Sequence, residues 1–126
     1  MDERSLAFLK RLLDAPGPSG FEQLPARLWR EEAKSFAAVE ADVAGNSLAT
    51  LNPTGKPRVM LAGHVDEIGL MVVHIDDEGY VHFAPIGGWD SQVLVGQRVV
   101  IDGRAGPVAG VIGKKAIHLM KTEERD

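Results

Sequence analysis

Cysteine is absent from the 126-residue chain. That excludes a disulfide framework, a thiolate nucleophile and any thiolate-ligated metal. It fits a reducing compartment, and a soluble cytoplasmic protein is the expectation. Long apolar runs are missing too: no stretch approaches the roughly 18 residues that span a bilayer. The start, Met1-Asp2-Glu3-Arg4, is acidic, and Lys10 and Arg11 interrupt the apolar residues Leu6–Leu13, so no secretory leader is expected. Basic clusters larger than Lys114-Lys115 are lacking, and the net charge is -4, which argues against a nucleic-acid partner. There is no Gly-x-Ser-x-Gly elbow, no internal repeat and no low-complexity tract. What is present, 44% apolar and 25% charged residues, suits a globular chain with its own core.

The order of residues suggests a change of character part-way along. Leu6, Leu9, Leu12 and Leu13 recur at helical spacing, which predicts a helix over 5–14 ended by Pro16. Pro16-Gly17-Pro18-Ser19-Gly20 is a rigid turn. Ser19 and Glu22 match a capping box, so a second helix starts there or, because of the proline, at Pro25. Its apolar side is drawn from Phe21, Leu24, Leu28 and Phe36. Val39–Val43 and Ser47–Leu51 are short strands about a Gly45-Asn46 turn.

Val59–Gly63 is apolar without alternation, which predicts a strand covered on both faces, as in an α/β sheet. From Leu70 onward the chain reads as purely β. Leu70–Ile75 and Tyr80–Ile86 flank an Asp76-Asp77-Glu78-Gly79 loop. Val99–Ile101 and Pro107–Ile112 follow, with glycine-rich corners that suggest a small barrel or curled sheet.

His64 and Asp66 stand two apart at the end of the apolar run. In extended backbone their side chains share a face. Imidazole is a good ligand for zinc or cobalt, and a carboxylate on its other nitrogen fixes the tautomer. The bland alternative is a histidine and an aspartate pinned by hydrogen bonds, and one histidine cannot hold a catalytic metal, which takes about three protein ligands. The other histidines do not complete a site. A tight hairpin pairs His74 with Val81 and Val73 with His82, placing the two imidazoles on opposite faces unless a bulge intervenes. His118 reads as a surface or interface residue. Asp76-Asp77-Glu78 lacks calcium-loop spacing, and Gly87-Gly88-Trp89-Asp90 reads as a tight corner.

Several segments together carry more. Ala15-Pro16-Gly17-Pro18-Ser19-Gly20-Phe21-Glu22 resembles the opening of co-catalytic metallo-aminopeptidases. Gly63–Val72 resembles the first metal-ligand segment of metallopeptidase family forty-two, the TET-type or glutamyl aminopeptidases, some of them historically called endoglucanases. Pro85–Asp90, Leu94–Val99 and Gly113–Leu119 are similar to the same family, in order and at consistent spacing.

The resemblance implies an α/β N-terminal part of a zinc-peptidase-like catalytic domain over residues 1–69. An all-β, PDZ-like or barrel-like segment, the start of an inserted dimerisation domain, would occupy 70–126. His64 would be a ligand of one of two divalent metal ions, zinc or cobalt, and Asp66 the carboxylate that orients it. The chemistry implied is metal-assisted hydrolysis of N-terminal residues from peptides, in a homo-oligomer ranging from dimer to dodecamer. The family's bridging aspartate, general-base glutamate and remaining ligands come from sequence beyond residue 126. The chain therefore reads as an N-terminal portion, inactive alone. A different class, a non-catalytic β-rich self-association module, is the competing expectation.

Overall fold

In the computed structural model, residues 1–121 are described. The charged end of the chain, residues 122–126, lies outside them. Among the described residues, two α-helices, three antiparallel β-hairpins and two short 3-10 turns follow one another. This is thus a small α/β chain. It divides into two compact units, Met1–Gly88 and the residues from Trp89 onward.

In the first unit, helix α1 spans Glu3–Leu13 and starts at Asp2, whose side chain accepts a hydrogen bond from Ser5 N at 2.7 Å. That bond satisfies one of the amides a helix start leaves without a partner. Helix α2 spans Gln23–Ala33. The capping box expected from Ser19 and Glu22 does not form: the Glu22 side chain makes no cap bond, and Ser19 is engaged elsewhere. Pro25 falls in the first turn of α2, where a missing N–H costs nothing, and its side chain is fully buried. Arg4 and Arg11 of α1 reach Glu32 of α2 at 2.9 and 3.7 Å.

Strands β1 (Ala38–Ala41) and β2 (Ser47–Thr50) pair around a turn built by Asp42. One Asp42 oxygen accepts from Ala44 N and Asn46 N, and the other from the Asn46 amide. Strands β3 (Gly69–Ile75) and β4 (Val81–Ile86) form the second hairpin, closed by the Asp76–Tyr80 turn. In the second unit, β5 (Arg98–Gly103) pairs with β6 (Gly106–Val111). Leu94 and Ile112 are its buried apolar residues, and the Gly96 and Ile112 amides donate to Ile112 O and Gln97 O.

Two expectations are corrected here. The apolar run Val59–Gly63 is not a strand covered on both faces. No residue of it is in a sheet, and Val59, Met60 and Leu61 are 77, 84 and 94% exposed. Among the described residues no neighbouring strand offers it a ladder, and apolar character alone does not make one. Second, among the described residues the β-rich stretch after Gly69 pairs as two two-stranded sheets, not as the continuous ladder of a barrel or a PDZ-like sheet. Among the described residues no helix is long and apolar enough to cross a membrane.

Candidate metal-ligand segment

The segment Gly63–Gly69 is fixed by a second stretch of chain far away in sequence. Glu67 N donates to Gly17 O at 2.9 Å, and Ser19 N donates to Glu67 O at 3.2 Å. These two bonds make a short parallel bridge between Pro18 and Glu67. The Glu67 carboxylate turns back to accept from Gly17 N at 3.2 Å. Gly17 is buried, and a β-carbon there would stand 2.6 Å from Pro25 Cγ. At Gly69 a β-carbon would meet Pro18 Cβ at 2.7 Å. The two glycines therefore let the proline loop and the His-x-Asp segment lie against each other.

On this base His64 and Asp66 meet. His64 Nδ1 is 2.7 Å from Asp66 Oδ1 and 3.0 Å from the Asp66 carbonyl oxygen. Both partners are acceptors, so a neutral ring carries its proton on Nδ1 and presents the Nε2 lone pair outward. The His64 side chain is 83% exposed, and that of Asp66 37%. The second Asp66 oxygen, Oδ2, accepts from the Ser19 hydroxyl at 2.6 Å. Ser19 first, and the His64 ring next, hold the Asp66 carboxyl below the usual aspartate range.

The same-face placement expected of His64 and Asp66 is thus found, with the pair in direct contact. Ser19 is the residue that sequence reasoning misplaced, as a helix cap. Its partner lies 47 residues away, and no local signal announces such a contact.

Two of the remaining histidines, His74 and His82, fall differently from expectation, through the bulge that would bring them together. A register shift between Val72 and His74 sets His74 opposite His82, not opposite Val81. The bulge puts both imidazoles on one face, with ring centroids 5.6 Å apart. His82 Nε2 also lies 3.2 Å from Asp76 Oδ2. His118 is exposed, as expected of a surface residue, and lies in the 3-10 turn Ile117–Leu119. Asp76 Oδ1 accepts from Glu78 N and Tyr80 N, as a turn-building aspartate does. Asp90 caps the 3-10 turn Ser91–Val93 through Gln92 N.

Among the described residues no three His, Cys, Asp or Glu side chains are gathered to hold a metal ion. One imidazole with a free nitrogen and a carboxylate behind it fits one ligand position of such a centre.

Comparison with known proteins gives this arrangement its context. The M42 glutamyl aminopeptidase family matches residues 45–126. The lysyl aminopeptidase of Pyrococcus furiosus is 38% identical over 115 residues, which are 90% of this chain and 33% of that protein. The crystal structure of a TET aminopeptidase from the marine sediment archaeon Thaumarchaeota archaeon SCGC AB-539-E09 superimposes with a TM-score of 0.90 at 39% identity. That match covers 98% of this chain and 35% of that one. The TET1 peptidase of Pyrococcus horikoshii, which can assemble into a tetrahedron or a large octahedral shell, has a TM-score of 0.78 at 33% identity. It is matched over 94% of this chain and 36% of its own.

By fold and by sequence, then, the chain is similar to proteins named aminopeptidases. Among these, it belongs to the M42 glutamyl aminopeptidase family. It spans about a third of the length of the curated relatives it matches.

Proposed function

We propose that the chain is the N-terminal portion of a dinuclear metal-dependent aminopeptidase that removes N-terminal residues from peptides. The observation that carries this is the His64–Asp66 pair. The imidazole is fixed through Nδ1 by a carboxylate, and Nε2 is left for a metal. The pair lies inside the stretch matched to the family. His64 is assigned as a ligand of one metal ion, and Asp66 as the group that orients it. Two divalent cations, zinc or cobalt by the chemistry of histidine and carboxylate donors, would polarise the scissile carbonyl and activate water. This chain's share of the work is to hold one imidazole in a single tautomer and direction.

Residues 70–126 are assigned to a β-rich stretch that leads into the part through which such proteins associate as homo-oligomers, the PDZ-like segment itself not being present among the described residues of this chain. The two hairpins β3–β4 and β5–β6 support that assignment by their place in the chain and their antiparallel pairing. With one metal-facing imidazole, the chain alone holds no dinuclear centre and is inactive. The test is release of an aminoacyl chromogenic group. The 126-residue chain gives none with added zinc or cobalt, while the longer protein gives metal-dependent release that His64→Ala abolishes. Metal-dependent release by the pure 126-residue chain would overturn the assignment.

A further inference from the structure

We infer that Ser19 is a positioning residue for His64: acting through Asp66, it sets which imidazole nitrogen carries the proton. The inference deepens the ligand assignment made above, and rests on it only for its purpose. The contact itself stands on geometry. The Ser19 hydroxyl donates to Asp66 Oδ2 at 2.6 Å, and His64 Nδ1 meets the other oxygen of the same carboxylate at 2.7 Å. Ser19, Asp66 and His64 therefore form one chain of hydrogen bonds through a single carboxylate.

A carboxylate at the surface can turn about its last torsion, and water competes for each of its oxygens. Here the Asp66 side chain is 37% exposed, so it is open to such competition. A donor on Oδ2 restricts that turning and keeps Oδ1 aimed at the ring. The hydroxyl cannot follow a drifting carboxylate, because the Ser19 main chain is itself tied down. Its amide donates to Glu67 O, and two residues earlier Gly17 is bonded to Glu67 through both its N and its O. The serine is thus held by the residue that immediately follows Asp66. A bond to an ionised acceptor is also stronger than one between neutral groups.

The consequence reaches the imidazole. With Oδ1 and the Asp66 carbonyl both facing Nδ1, a proton there has two acceptors, and the opposite tautomer would set a lone pair against them. The Nδ1–H form leaves the Nε2 lone pair outward. Only that form can offer Nε2 to a cation without first losing a proton, which is the role a carboxylate behind a ligating histidine serves. Removing the hydroxyl leaves a carboxylate that samples other directions, so the Nδ1–H preference weakens while the fold is kept. Ser19 is exposed, and its replacement opens no cavity.

The experiment needs neither metal nor catalysis. Imidazole nitrogen chemical shifts of His64 are recorded by NMR on the 126-residue chain, metal-free and in mildly alkaline solution. The wild type, Ser19→Ala and Ser19→Thr are compared, with Asp66→Asn marking complete loss. The wild type is expected to show Nδ1–H as the main form. Ser19→Ala should move the tautomer ratio toward Nε2–H by about fivefold, the size of effect one hydrogen bond supplies. Ser19→Thr keeps the hydroxyl and should restore the wild-type ratio. An unchanged ratio in Ser19→Ala, or failure of threonine to restore it, overturns the inference. Should the 126-residue chain not stay folded, the same shifts are read in the longer protein after chelation, where the same ratios support or overturn it. A tautomer shift together with metal binding indifferent to His64→Ala would instead sink the ligand assignment and leave this one standing.

Discussion

His64 Nδ1 lies 2.7 Å from Asp66 Oδ1, and the same imidazole leaves most of its surface, 83%, open. A carboxylate behind a ligating histidine raises ligand basicity and fixes its direction, and losing one typically costs 10–100-fold in metal affinity, an order-of-magnitude expectation. On the ligand role proposed for His64, Asp66→Asn in a protein that carries this chain together with the rest of the proposed metal centre should weaken zinc binding by about that factor, measured by competition with a chelating dye. His64→Ala should remove the ion more completely than Asp66→Asn does. Equal affinities in wild type and Asp66→Asn would show that the carboxylate has no such part.

The close approach of the proline loop to that segment gives a second expectation. A β-carbon at Gly69 would stand 2.7 Å from Pro18 Cβ, and one at Gly17 would stand 2.6 Å from Pro25 Cγ. Both neighbours are prolines, whose rings cannot swing aside as a flexible side chain would. Gly69→Ala and Gly17→Ala should each destabilise the chain by about 1–3 kcal/mol, the usual range for forced overpacking. Gly63, with no atom within 4 Å of its would-be β-carbon, serves as the comparison. Denaturant unfolding of the three variants decides it. A Gly69→Ala midpoint equal to that of Gly63→Ala would contradict the packing described.

Asp42 makes the first hairpin sensitive to acid, with a sign that can be worked out. The Asn46 side chain first, and the turn amides after it, hold its carboxyl below the usual aspartate range. A group lowered on folding contributes stability above its unfolded pKa, about 3.9, and loses it as pH falls through the folded value. Asp42→Ala should therefore be less stable than wild type at neutral pH, by an amount constant down to about pH 5. The gap should close below about pH 4 as the wild-type carboxyl takes up its proton. Parallel thermal melts across that range provide the check, and a gap that persists undiminished at the acid end would rule the mechanism out.

How far all this could be foreseen depends on how local each determinant is. The turns at Gly45-Asn46 and Asp76–Gly79 were legible because glycine, asparagine and aspartate act on their own neighbours, although Asp42, read as part of a strand over Val39–Val43, lies past its end at Ala41 and builds the first turn. The start of α2 was ambiguous because Ser19 and Glu22 satisfy a local pattern, yet a contact 47 residues away claims the serine. Nothing within a helix-sized window carries that information. Val59–Gly63 misled in the opposite way: an apolar run predicts burial, and burial needs a partner that the run does not contain. His64 and Asp66 were visible as a spacing. Their meaning as a candidate site came from segments matched in order along the chain, not from the two residues alone.

The register of the second hairpin is the clearest departure from expectation, and the absence of cysteine makes it directly testable. A regular tight hairpin would set Val73 opposite His82, whereas the bulge between Val72 and His74 sets His74 there. Directly opposed residues bring their β-carbons to roughly 4.5–5.5 Å, near the span a disulfide bridges, while residues on opposite faces cannot be joined. With no native thiol to interfere, the double variant H74C/H82C should oxidise to an intramolecular disulfide within the monomer. V73C/H82C, the pair a regular register would oppose, is oxidised in parallel as the comparison. Mass spectrometry of the oxidised monomers shows which pair closes. Efficient closure of the Val73 pair, with none of the His74 pair, would return the hairpin to the regular register and separate the two imidazoles onto opposite faces.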